Sequence, residues 1–214
     1  MKKGRNKIIN LIAEKINYYS SFKSKVIFGM VGGISIKPIL KKLSKQNINW
    51  NKVHFYMLDE RFANIQSEQS NYKQLKELLL DKIKIPQQNI HPFIYDLKNP
   101  LKKYNQGFFK NAEFFDIILL SAGEDSHIAS LFPNHPSIKN NLRGFIKIKN
   151  SPKPPSERIT ASKKLLEKSK TAILIFAKGR EQAYENFLNP CLSTEQCPAK
   201  SINPVKDKHI FTDF

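Results

Sequence analysis

Six short apolar runs, each rich in β-branched or aromatic residues, recur along the 214 residues with helix-patterned segments between them. They are KVIFGMV (25–31), KVHFYML (52–58), FFDIILLS (114–121), GFIKIKN (144–150), TAILIFA (171–177) and KHIFTDF (208–214). Strands that alternate with helices select an α/β architecture on a mostly parallel sheet. The intervening segments agree. Residues 5–19 place Ile8, Leu11, Ile12 and Ile16 on one stripe, the spacing of an amphipathic helix. Pro38 suits the first turn of a helix over 37–46, and Ser70 or Asn71 can cap one over 70–81. Further helices are expected at 100–111, at 160–168 with Thr160 as cap, and at 179–188. The Pro-rich stretches at 151–156 and 189–204 are too short to divide the chain, so residues 1–214 are expected to form a single α/β domain.

Composition narrows the function classes. No run reaches the roughly 18 apolar residues of a membrane span. The apolar segment behind the basic N-terminus is broken by Glu14, Lys15 and Asn17, unlike a signal peptide, so a cytoplasmic protein is expected. Cys191 and Cys197 lie six residues apart without the further Cys or His of a zinc site, and are expected to be free thiols. The formal charge is +18, which suits an anionic partner. The lysines are nevertheless spread along the whole chain, and no basic block interleaves with aromatics, so specific nucleic-acid binding is not expected.

Ligands of a doubly wound sheet bind beyond the carboxyl ends of its strands, and five such loops carry unusual chemistry. Gly32-Gly33-Ile34-Ser35 lets the backbone approach a ligand and opens a helix whose first N–H groups favour an anion. Asp59-Glu60-Arg61 puts three charges at a strand end, to be paired internally or aimed at a ligand; an Arg there can grip a phosphate or an oxyanion. Gly123-Glu124-Asp125-Ser126-His127 sets a carboxylate two residues from an imidazole, the pairing of a general base and its orienting acid. His135 can pair with His127 on a metal, but no third ligand is evident. Lys153 and Arg158 in SPKPPSERIT, and Gly179 with Arg180 in KGREQA, add cations able to hold phosphate.

In order along the chain, GGIS followed by KP, VHFYMLDER, the SN of QSNYK, FDIILLSAGEDSHIASLFPNHPSI, SPKPPSERIT, KGREQA and PAKSINP resemble the 6-phosphogluconolactonase family. The likeness runs from about residue 25 to the C-terminus. It implies a Rossmann-like three-layer sandwich shared with the sugar-phosphate isomerases and deaminases. It also implies hydrolysis of a phosphorylated sugar lactone by water, with no cofactor and no metal. His127 maps to the base of the family's GxDGH segment and Asp125 to its carboxylate. Arg61 maps to the arginine of DER, and Asp59, Arg158 and Arg180 fall on substrate-site positions. Gly32, Gly33 and Ser35 map to the phosphate-contacting loop.

The chain departs from the family pattern at four places. Ile34 and Ile36 stand in the glycine loop where a polar residue and a proline are usual; Ser126 replaces the glycine of GxDGH; Ile128 replaces a Thr; and no strand precedes the first helix. A left-handed Ser126 would cost about 1 kcal/mol or more, and the missing strand leaves an open sheet edge. The other readings are a glucosamine-6-phosphate deaminase-type isomerase, a catalytically impaired sugar-phosphate-binding homologue and a basic nucleic-acid-binding module. A single domain of this size is expected to be a monomer.

Overall fold

A computed structural model of the protein describes residues 2–214. Helix α1 (Lys2–Phe22) leads into β1 (Val26–Met30), whose five residues are all buried. Then follow α2 (Lys37–Leu43), β2 (Val53–Met57), β3 (Asp59–Arg61), α3 (Asn71–Leu78), β4 (Ile90–His91) and α4 (Pro100–Asn111). The remaining elements are β5 (Ile117–Ser121), β6 (Phe145–Ile148), β7 (Arg158–Ala161), α5 (Lys163–Glu167), β8 (Thr171–Phe176), α6 (Glu181–Leu188) and β9 (Asp207–Thr212). Among the described residues, no helix is long and apolar enough to cross a membrane.

Six strands form a sheet in the order β4-β2-β1-β5-β8-β9, every neighbour parallel. Both faces are covered, which is why its strands read as continuous apolar runs rather than as alternating ones. Phe55 and Tyr56 are consecutive and so point to opposite faces, yet each is 1% exposed. Phe55 packs on Phe28 and Trp50, while Tyr56 meets Tyr104 and Phe108 of α4. The chain lays β2 and β4 to one side of β1, and β5, β8 and β9 to the other. The loops after β1 and β5 therefore diverge at the point where strand order reverses, and a crevice opens there.

A second sheet of three antiparallel strands, β3-β7-β6, corrects the expected architecture. The run at 144–150 joins this sheet and not the parallel one. DER, expected as a loop, is β3, and the RIT of the Pro-rich loop belongs to β7; they pair Asp59 with Thr160 and Arg61 with Arg158. Leu58 moors the two sheets: its N–H donates to Met30 O (2.9 Å) and its carbonyl accepts from Ala161 N (2.6 Å). Because Thr160 lies in a strand, the helix expected from 160 begins only at Lys163, with the Ser162 side chain accepting from Leu165 N. Ser70 caps α3 as expected, accepting from Lys73 N at 3.1 Å.

The sheet edges are short or guarded. β4 has two residues. On β9, α1 covers the edge, with Lys15 Nζ 2.9 Å from Asp207 Oδ2 and Arg5 Nη2 2.7 Å from Asp213 Oδ2. Charged flanks of this kind discourage strand addition.

Candidate active site

The turn after β5 is wound tightly around His127. Gly123 N donates to His127 O (2.9 Å) and Ser126 N to Gly123 O (3.1 Å). A side chain at Gly123 would collide with the imidazole, its Cβ lying 2.0 Å from Cε1, so glycine is required by space. Ser126 adopts φ +70°, the left-handed conformation expected of that position. Two contacts hold it: its Oγ accepts from Asn186 Nδ2 of α6 (3.2 Å), and its carbonyl accepts from Ala199 N (3.0 Å). Ile128 is wholly buried, so the methyl-rich side chain at this position serves the core.

His127 Nδ1 and Asp125 Oδ1 are in short hydrogen-bond contact. Burial alone would raise the Asp125 pKa; the His127 hydrogen bond, with the charges of His127 and Lys153, brings it down to about 2. A carboxylate ionised at neutral pH fixes the Nδ1–H tautomer. Nε2 then carries the lone pair, and it has no partner among the described residues. Phe132 packs against the ring at 4.8 Å, and the Arg158 guanidinium lies 5.5 Å over the other end of that contact.

The three charges of β3 divide. Asp59 is buried and accepts from Ser130 Oγ (2.8 Å) and Asn71 Nδ2 (3.1 Å), tying together β3, the β5 loop and α3. Glu60 is buried beneath the start of α3, accepting from Asn71 N (2.9 Å), Tyr72 N (2.7 Å) and Ser70 Oγ (3.1 Å). Burial raises its pKa, and the backbone N–H bonds oppose the rise. Arg61 is the outward member. Its Nη1 donates to Gln69 O, while Nε is buried without any acceptor. An unpaired guanidinium donor beside a second arginine marks a place suited to an anion.

Arg158 is 5% exposed and heavily engaged, donating to Pro155 O (3.2 Å), Lys153 O (3.0 Å) and Pro154 O (2.8 Å). It clamps the 153–155 segment. Lys153 is thereby brought over the turn, its Nζ 3.2 Å from Glu124 Oε1 and 3.7 Å from Asp125 Oδ1. Arg180 reaches the same carboxylate from the other side, Nη1 to Glu124 Oε2 at 3.3 Å.

Gly32 is pressed against Asn71, where a Cβ would lie 2.2 Å from Oδ1, and Gly33 has φ +101°. Gln74 takes both backbone groups of Gly33, accepting from N (3.3 Å) and donating to O (3.1 Å). Ser35 and Arg180 line one cavity of about 280 Å³ with Lys178 and Pro38; His127 is not among its walls. Ile34 is 85% exposed at its mouth. His135 lies apart, bonded to Ser137 Oγ and Lys149 O, so the metal pair with His127 is not formed. Residues that the sequence did not single out are Glu60, Gln74, Glu124, Ser130 and Asn186. Glu124 lay inside the quoted turn; the others act only through tertiary contacts.

A family model described as "Glucosamine-6-phosphate isomerases/6-phosphogluconolactonase" matches residues 3–211. The chain belongs to this family. Its relatives place it on the 6-phosphogluconolactonase side: it is 37% identical over 194 residues to the 6-phosphogluconolactonase of Borreliella burgdorferi, covering 87% of this chain and 83% of that protein. It is 31% identical over 196 residues to that of Thermotoga maritima, covering 90% and 86%. The crystal structure of the Thermotoga maritima 6-phosphogluconolactonase superposes with a TM-score of 0.87 at 25% identity, covering 98% of this chain and 94% of that one. A structure from Shewanella baltica, at 19% identity and TM-score 0.87, shows the same fold. In this member of the 6-phosphogluconolactonase family, the turn carrying His127 thus stands at the mouth of the parallel sheet, between two arginine-bearing strands and a bridged pair of cations.

Proposed function

We propose that the protein hydrolyses 6-phospho-D-glucono-1,5-lactone to 6-phospho-D-gluconate, with His127 as general base. The observation that carries this is the Asp125–His127 pair: Nδ1 is engaged by an ionised carboxylate and Nε2 is left open, on a turn too tight to let the ring wander. The family supplies the substrate class, since the relatives are 6-phosphogluconolactonases.

Nε2 takes a proton from water as its oxygen bonds to C1 of the lactone. The carbonyl electrons move onto oxygen, and the Arg61 guanidinium, whose Nε lacks an acceptor, stabilises that oxyanion. When the tetrahedral centre collapses, the C1–ring oxygen bond breaks and the ring oxygen takes the proton from the imidazolium. Asp125 stabilises that imidazolium while it exists. Binding the phosphate at a distance from C1 supplies orientation. Arg180 and Ser35 share one cavity for it, and the Ile34 and Ser35 N–H groups beside Gly32 and Gly33 have no protein acceptor among the described residues. Arg158 and Asp59 act here by holding the loops that carry Lys153 and Ser130.

The test is hydrolysis of freshly prepared 6-phosphogluconolactone with the spontaneous opening subtracted. His127→Ala should lower turnover by roughly 10²–10⁴-fold, while 6-phosphogluconate binding, followed by calorimetry, stays close to wild type. Wild-type turnover in His127→Ala refutes the assignment of the base.

A further inference from the structure

Glu124 sits on the catalytic turn, one residue from Asp125, and makes no contact that the turn needs for its shape. Its two oxygens are divided between cations from different loops: Oε1 lies 3.2 Å from Lys153 Nζ, and Oε2 lies 3.3 Å from Arg180 Nη1. Lys153 is delivered by the segment that Arg158 clamps, and Arg180 by the start of α6. The result is a carboxylate bridging two positive groups in the way an oxyanion ligand would. The Glu124 side chain is 66% exposed, so nothing packs it in place. Surface ion pairs of this kind are weak and exchange readily.

From this geometry we infer that Glu124 is a displaceable counter-anion, occupying the position between Lys153 and Arg180 that the phosphate monoester of the substrate takes on binding. The inference rests on the sugar-phosphate reading above and deepens it. The Lys153 hydrogen bond, with the charges of Lys153 and Arg180, holds the Glu124 pKa below the usual carboxylate range. The resident group is therefore a monoanion at neutral pH. A phosphate monoester carries nearly two charges and three acceptor oxygens, so it outcompetes the resident carboxylate, whereas a neutral lactone has nothing with which to displace it. Glu124 would thus favour phosphorylated over unphosphorylated substrate by keeping the cations neutralised until a dianion arrives. Arg180 also lines the cavity that holds Ser35 and Lys178, which gives the incoming phosphate further donors and leaves Glu124 free to swing toward solvent.

The experiment titrates inorganic phosphate into wild type, Glu124→Gln and Lys153→Met at fixed ionic strength. Removing the resident charge should tighten phosphate binding roughly two- to tenfold in Glu124→Gln, and Lys153→Met should weaken it. The KM for the phosphorylated lactone should fall in Glu124→Gln, while that for glucono-δ-lactone does not. Unchanged or weaker phosphate binding in Glu124→Gln overturns the inference, as does a Lys153→Met variant that binds like wild type. A purely structural role for Glu124 would lower the melting temperature and leave phosphate affinity where it was. If phosphate tightens as expected but wild type turns over no lactone, the proposed reaction fails and the counter-anion stands. If lactone is hydrolysed but phosphate affinity ignores residue 124, the reverse holds.

Discussion

Replacing Gly123 with alanine puts a single methyl group against the proposed base. That Cβ would lie 2.0 Å from His127 Cε1, 2.1 Å from Nδ1 and 2.8 Å from Asp125 Oδ1. Carbon atoms settle at about 3.5–4.0 Å, so the imidazole must retreat by roughly 1.5 Å. The backbone cannot absorb the displacement cheaply, because Gly123 N–H is bonded to His127 O at 2.9 Å. A retreat of that size breaks the contact with Asp125 and carries Nε2 away from the attacking water. Misplacement by about 1 Å costs on the order of 10²-fold in rate, equivalent to about 2.7 kcal/mol in the barrier. Overpacking costs about 1–3 kcal/mol in stability, a fall of roughly 2–10 °C in Tm at this chain length. The assay is the initial rate of lactone hydrolysis well below the melting temperature. Gly107→Ala in α4, where an added Cβ meets nothing within 4 Å, is the control and should keep full rate. Should Gly123→Ala turn over within about threefold of wild type, the turn is not what positions the base.

Two further outcomes concern stability. His91 stacks on Tyr56 at 4.2 Å and shares a 3.0 Å hydrogen bond with His54; burial, then the His54 charge, brings its pKa down to about 4 from 6.5. The unfolded chain binds this proton below about pH 6.5 and the folded one only near 4, so stability should fall as pH drops through that window, by on the order of 3 kcal/mol. Urea unfolding at pH 7.5, 5.5 and 4.5 measures it, and a His91→Asn variant with the same pH slope would remove His91 as the cause. Ser70→Ala deletes the α3 cap and the Ser70 hydrogen bond to Glu60; a loss of about 1–2 kcal/mol is expected, and denaturation indistinguishable from wild type would count against the cap.

The parallel sheet was legible because five of its strands are apolar runs long enough to stand out, and FFDIILL could hardly be anything but a buried strand. The histidine turn was legible too, since its acid and imidazole are neighbours in sequence. The small antiparallel sheet was hidden for a physical reason. Asp59–Arg61 and Arg158–Ala161 are three and four residues long and rich in charge, too short for a period of two to register. Missing those strands shifted the start of α5 and placed Phe145–Ile148 in the wrong sheet. The division of labour among Asp59, Glu60 and Arg61 was equally invisible, because the groups that satisfy the two acids lie on α3 and the β5 loop. Sequence could state that the charges needed partners; only the fold says which of them remains available.

Ser126 is held by Asn186 and by the backbone of Ala199. The turn it shapes follows the fifth strand, but both anchors come from the last thirty or so residues of the chain. During synthesis, the glycine loop, the arginine of DER and the histidine all emerge well before the groups that lock the histidine's turn. A nascent chain that stops short of α6 can build most of the parallel sheet and still leave Ser126 without the contacts that offset its left-handed backbone. Competence is therefore conferred late, when the C-terminal segment docks beneath the turn, and the order of translation guards against a half-made enzyme acting on its substrate.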